Sequence, residues 1–257
     1  MVNISEAQIL GWITPLLWPF LRALALFTAL PVLGSRMVPT RVRIALAGFI
    51  ALAAQPTLPP LSPEVAAIAL HAPQAIMLVL QQLLIGLAIG FAVRVVFAAV
   101  EFAGEVIGLQ MGLNFAGFFD PLSASTATAT SRFFGTMVAW LFIVINGHLI
   151  VIAALVQSFS AFPIGPEPFE FLRATQPHRW GAEIFSTGLW IALPLVSLLM
   201  FVNLALGAIS RVAPQINIFA IGFPVTLGMG LLGLLLTLPT MQIPFTMALE
   251  RLLENFR

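Results

Sequence analysis

Twenty-nine consecutive residues in the first half of the chain, Val65–Val93, carry no formal charge. A helix needs about 20 apolar residues to cross the hydrocarbon core of a bilayer. Similar apolar runs occur at Leu10–Leu33, Phe133–Val156, Ile184–Ser210 and Ile216–Leu249, and only 8% of all residues are charged. An ordinary soluble domain has about a quarter of its residues charged. The sequence therefore predicts an all-α, polytopic membrane protein.

These runs are not typical of helices that stand alone in lipid. A sixth apolar run, Val42–Ala54, has only 13 residues and is too short to span. Prolines lie inside several others, and a proline frees backbone carbonyls that need neighbours or water. We therefore expect about six apolar, proline-bent helices or hairpins crowded by other protein. The arginines of the first joint, Arg36, Arg41 and Arg43, favour a cytoplasmic joint and both termini outside.

One charge lies well inside the first apolar run. Arg22 is far from either end of Leu10–Leu33. A guanidinium in hydrocarbon costs at least a few kcal/mol unless it has partners. We expect Arg22 to face protein or water; snorkelling along a tilted helix is the alternative.

A different composition appears at Glu101–Pro121, where acids and glycines accompany bulky apolar residues. Gly104, Gly108 and Gly112 recur every fourth residue, a spacing that lets helices approach closely. Turn-forming residues follow, so we expect a helix to end near Gln110–Gly112 and a loop to begin.

The predicted loop is unusually apolar for a turn and would avoid water only by packing together or against partners. Glycines let a backbone move aside, and phenylalanine rings exclude water and ions from a narrow tube. We therefore interpret the loop as a flexible plug within a protein-lined passage. The candidate plug residues are Gln110, Met111, Gly112, Leu113, Asn114, Phe115, Gly117, Phe118, Phe119, Asp120 and Pro121.

The sequence contains no set of residues with the types and spacing of a known catalytic site. The three histidines, His71, His148 and His178, lie in separate segments without a metal-ligand spacing. The chain has neither cysteine nor lysine, which excludes thiolate metal sites and a Walker-type nucleotide site. A net charge of +1 offers no field for nucleic acid. We expect no enzymatic activity, cofactor or metal.

Two polar groupings leave alternatives open. Asn146 and His148 flank a glycine inside an apolar run, where a hydrogen-bonded contact between helices and a proton relay are both possible. Glu101 and Glu105 lie four residues apart, so a helix places both on one face. They either end a helix near water or an arginine, such as Arg94 or Arg132, or serve with Arg22 in a secondary transporter of a small solute. An intramembrane hydrolase lacks a nucleophile and base.

Four stretches together resemble a known family. GEVIGLQMGLNFAGFFDP (Gly104–Pro121) resembles the central motif of the FliR family, the export-gate subunit of the bacterial flagellar type III secretion apparatus. Trp18–Ala47, Ile145–Gly165 and Ala213–Gly230 resemble its opening hairpin, its fourth segment and its last joint. The alternative within the family is the homologous subunit of virulence injectisomes, and the residues of these motifs favour the flagellar branch.

The resemblance implies a non-enzymatic core subunit of a pseudo-helical gate assembly in the bacterial inner membrane, at the flagellar basal body. It implies partners: multi-copy larger and smallest gate proteins, the export switch protein, and unfolded flagellar proteins as transient substrates. Residues 1–183 would resemble the larger partner and residues 184–257 the hairpin of the smallest. Residues 110–121 would plug the closed pore. The residues expected in packing or partner contacts are Arg22, Gly104, Gly108, Asn146, His148, Pro214, Gln215, Asn217 and Pro224.

Overall fold

The computed structural model describes residues 6–35, 38–66, 68, 72–113, 128–165, 167–215 and 218–257. Regular structure in these residues is entirely helical, which confirms the predicted fold class. In chain order the helices are α1 (Glu6–Ala29), α2 (Thr40–Ala54), α3 (Pro63–Ala66), α4 (Pro73–Gln110), α5 (Ala129–Val144), α6 (Gly147–Ala161), α7 (Glu170–Thr175), α8 (Trp180–Val212), α9 (Ile218–Thr237) and α10 (Gln242–Glu254). Short 3-10 turns lie at Gln55–Thr57, Pro177–Arg179 and Leu238–Met241.

Not every apolar run is a long helix. Within the described residues, three helical stretches have the length and composition to cross a membrane: Pro73–Gln110, Glu170–Val212 and Ala220–Glu254. A fourth span results if α5 and α6, which are separated by a short break and bent by 68°, are counted as one. The most apolar window of Pro73–Gln110 is 61% buried, compared with 17% and 22% for the other two. Much of the apolar surface of α8, α9 and α10 is thus left uncovered by this chain.

Several helix boundaries differ from the apolar runs of the sequence, and three of these differences change how the chain is divided. α4 continues through Arg94 to Gln110, because an exposed arginine is a good helix former and does not interrupt a helix. The run Phe133–Val156 is two helices, since Asn146 adopts a left-handed conformation with φ of 57°. The last run is divided by the 3-10 turn at Leu238–Met241.

Several of the prolines lie inside helices, as the apolar runs predict. Pro194 lies inside α8, and Pro224 lies inside α9. The joint between α8 and α9, at Ala213–Gln215, falls where the sequence predicts it.

The chain forms two compact units. The first comprises Met1–Arg94, Asn146–Trp180 and Leu249–Arg257, and the second comprises Val95–Ile145 and Gly181–Ala248. These units arise from contacts within the chain, whereas the predicted division at residue 183 concerns likeness to partner subunits and stays a prediction.

Aromatic rings fill the core of each unit. In the first, the ring of Phe256 packs edge-on against Phe162 and Trp180, with centroids 6.4 and 5.9 Å apart. In the second, the ring of Phe97 packs edge-on against Phe142 and Phe245 at 5.6 and 6.0 Å. Such edge-to-face pairs add about 0.5–1.5 kcal/mol beyond the burial of their area.

Candidate functional site

A fully buried arginine lies at the centre of the first unit. Arg22 of α1 is 0% exposed and therefore faces protein, as its position in the sequence predicts. Its Nε donates to Oε1 of Gln82 on α4 at 2.8 Å, and its Nη1 donates to Oγ of Ser158 on α6 at 2.9 Å. Its Nη2 donates to the carbonyl oxygen of Phe162 at 3.1 Å, and the Phe159 ring lies 3.7 Å from the guanidinium carbon. The charge is thus held by neutral acceptors and an aromatic face.

A second layer of hydrogen bonds supports these acceptors. Nε2 of Gln82 donates to Oε1 of Gln81 at 2.8 Å, which orients the Gln82 amide toward Arg22. Gln81 in turn donates to the carbonyl oxygen of Pro163 at 3.1 Å and accepts from the amide of Gly165 at 3.1 Å. We call Arg22, Gln81, Gln82, Ser158 and Phe159 the arginine cluster. It fastens α1, α4 and the end of α6 to one another.

Two glycines bring α1 and α4 close enough for this cluster to form. A Cβ on Gly86 would collide with the carbonyl oxygen of Arg22, and one on Gly90 would lie 2.5 Å from Cβ of Ala29. The two helices are therefore tightly packed at both glycines.

The candidate carboxylates end up at the surface. Glu101 and Glu105 lie on α4, and both are exposed. Neither forms an ion pair with Arg132 among the residues that the structure describes. The carboxylate of Glu101 lies beside Gly135 of α5, where a Cβ would approach its Oε1 to 2.9 Å.

Gly104 and Gly108 pack against α5. A Cβ on Gly104 would lie 2.7 Å from the ring of Phe134, and one on Gly108 would collide with the hydroxyl of Thr130. Both glycines and both neighbours are buried. The packing of these two glycines on α5 fixes the last two turns of α4, immediately before the predicted plug.

A Gly104→Ala substitution should therefore destabilise the protein, because overpacking of a tight core typically costs about 1–3 kcal/mol. Gly207→Ala in α8 is the matched control, since a Cβ there meets nothing within 4 Å in this chain. Alanine is favoured over glycine in a helix by about 0.5–1 kcal/mol, so the control should be neutral or stabilising. Thermal unfolding of both variants in detergent measures the difference. Equal melting temperatures would refute the packing argument.

α4 ends where a helix end is predicted. Its last residue is Gln110, and Gly112 has φ of 79°, a left-handed conformation that favours glycine at a helix terminus. Leu113 is the last described residue before a gap, and Gln110 borders an open groove of about 560 Å³ with Met200 and Leu204 of α8. The other candidate plug residues lie outside the described residues: Asn114, Phe115, Gly117, Phe118, Phe119, Asp120 and Pro121.

The remaining candidates lie at breaks between helices. Asn146 precedes α6 and makes no side-chain capping bond. His148 has a buried Nδ1 with no hydrogen-bond partner in the described part of the chain, so the expected contact does not involve this atom here. Pro214 and Gln215 form the exposed joint, Pro224 is exposed on α9, and Asn217 lies outside the described residues.

Sequence reasoning missed the partners of Arg22. Gln82 and Ser158 are 60 and 136 positions away, so no local spacing connects them. The one available signal was the pair Gln81–Gln82 inside a charge-free run, because amides at membrane depth need partners. A second omission is Gly230, which contacts Met111.

Comparisons with known proteins agree across nearly the whole chain. The family described as bacterial export proteins, family 1, matches residues 13–252. The flagellar biosynthetic protein FliR of Escherichia coli (strain K12) is 44% identical over 248 residues, covering 95% of this chain and 92% of that protein. The protein of the same name from Pectobacterium carotovorum subsp. carotovorum is 40% identical, and that from Bacillus subtilis (strain 168) is 28% identical over 93% of this chain.

These likenesses agree with the structure. The described residues contain apolar helices long enough to cross a bilayer, so the chain is a membrane protein. The match spans both compact units and includes Gly104, Gly108 and the end of α4. The chain therefore belongs to the bacterial export proteins, family 1, and within it to the flagellar FliR family.

Proposed function

We propose that this chain is a non-enzymatic gate subunit of the flagellar protein-export apparatus, in which residues 110–121 plug the membrane pore. Family membership makes it a component of a bacterial export apparatus, and the names of its relatives point to the flagellum. Its substrates would be unfolded flagellar proteins, and its location the inner membrane at the flagellar basal body. Its partners would be multi-copy larger and smallest gate proteins and the export switch protein.

The observation that carries the plug is the way α4 ends. The helix is fixed up to Gln110 by glycine-mediated packing on α5, and the backbone then turns at a left-handed Gly112. A segment rich in phenylalanine follows directly. A rigid support next to a permissive residue is the arrangement that a movable plug requires.

The exposed apolar helices support a place among partners. Trp190, Phe201 and Leu235 are each 67–71% exposed in this chain. Large apolar side chains this exposed on membrane-length helices are covered by lipid or by other subunits. Nothing about Arg22 supports transport of a small solute, because its guanidinium is fully buried and each of its three nitrogens donates to a neutral group of this chain.

Deleting residues 112–119 tests the plug. The deletion should leave α4 and its packing intact, so the apparatus should assemble but conduct ions in the absence of substrate. Ion leakage can be measured as growth inhibition and dye uptake in cells that produce the complete apparatus. The control is the unaltered chain at the same abundance in the same cells. An assembled apparatus with unchanged conductance would refute the plug.

A further inference from the structure

Met111 is held in place although it lies beyond the end of its helix. It is 0% exposed, and its amide donates to the carbonyl oxygen of Ile107 at 2.9 Å. Ala103 and Ile107, which precede it at intervals of four, are also buried. Met111 therefore continues the buried face of α4 by one residue, up to the left-handed Gly112.

The seat for this side chain is a glycine on α9. A Cβ on Gly230 would lie 2.5 Å from Cγ of Met111 and 2.7 Å from both its Sδ and Cε. The whole thioether therefore rests on the glycine backbone, and any larger residue at position 230 must displace it. One turn earlier, the buried Thr226 places its hydroxyl 3.4 Å from the carbonyl oxygen of Met111. That hydroxyl also lies 3.1 Å from the Phe223 carbonyl oxygen, to which it donates within α9.

We propose that Gly230, assisted by Thr226, is a positioning residue for the plug: it clamps Met111 so that the segment from Gly112 onward starts from a fixed point. The inference rests on the proposed role of residues 110–121. Because Met111 is clamped on α9 and Gly112 has a left-handed conformation open to glycine, the backbone can change direction at Gly112 while Met111 stays in place. The fold thereby makes the seal depend on a helix more than 100 positions further along the chain.

The ion barrier of the assembled apparatus tests this dependence. Gly230→Ala should displace the methionine and raise ion leakage, while the abundance of the chain and its co-purification with other apparatus subunits stay unchanged. Gly228→Ala is the matched control, because a Cβ there meets nothing within 4 Å in this chain, and it should remain ion-tight. Leakage with intact assembly separates positioning of the plug from a loss of folding. Equal leakage of the two variants, or none with Gly230→Ala, would overturn the clamp.

A cysteine pair tests the contact itself, since the chain has no native cysteine. Met111→Cys with Gly230→Cys should crosslink under a mild thiol oxidant, and Met111→Cys with Gly228→Cys should not. The reduced 111–230 pair has lost the thioether and should leak, whereas the disulfide should restore the barrier and leave export possible. Failure to crosslink, or a disulfide that leaves the leak unchanged, contradicts the proposal.

The two ideas fail in distinguishable ways. If deletion of residues 112–119 causes leakage but the assembled Gly230→Ala variant stays tight, the clamp is wrong and the plug stands. If the deletion itself stays tight, the plug is wrong, and the clamp loses the role proposed for it even where the cysteines crosslink.

Discussion

Replacing Arg22 by methionine is expected to reduce sharply the amount of folded chain in the membrane. The methionine has a similar length but donates no hydrogen bond, so Oε1 of Gln82 and the carbonyl oxygen of Phe162 each lose a donor. A buried acceptor left without a donor costs about 1–3 kcal/mol. The contact with the Phe159 ring is lost as well. Together these losses are a large part of the roughly 5–15 kcal/mol by which native proteins are stable.

Two further variants identify the cause. Arg22→Lys keeps the charge but cannot direct donors along three fixed directions, so it should recover only part of the loss. Arg173→Met removes an arginine that is exposed on α7 in the same unit, and it should have little effect. Immunoblots of membranes and thermal unfolding of the solubilised apparatus measure these differences. If Arg22→Met accumulates and exports as the parent does, the arginine cluster is dispensable.

An arginine introduced on the exposed face of α9 should prevent incorporation into the apparatus. Leu235 is 70% exposed in this chain, yet it lies within the apolar stretch Ala220–Glu254, 15 positions before the nearest following charge at Glu250. If lipid or other subunits cover this face, Leu235→Arg places a guanidinium in an apolar environment. Insertion measurements put that cost at about 2.5–3.5 kcal/mol near the centre of a span.

Met247→Arg provides the matched control for this prediction. Met247 is 65% exposed, nearly the same as Leu235, but it lies three residues before Glu250 at the charged end of the stretch. An arginine there can reach water or the carboxylate, so it should be tolerated. Co-purification with tagged apparatus subunits and swimming in soft agar report incorporation. Were Leu235→Arg to incorporate as well as Met247→Arg, the face would be in contact with water.

The sequence predicted the ends of helices correctly where turn-forming residues or a break between apolar runs marks them. The turn formers after Gly112 marked the end of α4, and the break between the runs Ile184–Ser210 and Ile216–Leu249 marked the joint before α9. The position of Arg22 predicted that it faces protein, because the cost of a charge in lipid does not depend on knowing its partners. The four-residue spacing of Gly104 and Gly108 likewise predicted that α4 packs closely against another helix.

What the sequence could not supply is long-range pairing. Neither Ser158 as a partner of Arg22 nor Gly230 as a seat for Met111 has a local signature, because tertiary packing alone brings them together. Hydropathy also failed to predict where helices continue and where they end. α4 continues past Arg94, and the apolar run Phe133–Val156 is broken by the left-handed Asn146 between α5 and α6. In both places backbone conformation decided the outcome, and average hydropathy does not report it.

The length of α8 bears on how the protein tolerates different lipids. Glu183 and Arg211 lie in its first and last turns, and the 28 residue steps between them rise about 42 Å along the axis at about 1.5 Å each. A hydrocarbon core is about 30 Å thick, and helices seldom tilt beyond about 40°. At that tilt the two charged residues still lie about 32 Å apart along the membrane normal. The spacing of these two charges therefore allows both to reach the headgroups in bilayers with shorter or longer acyl chains.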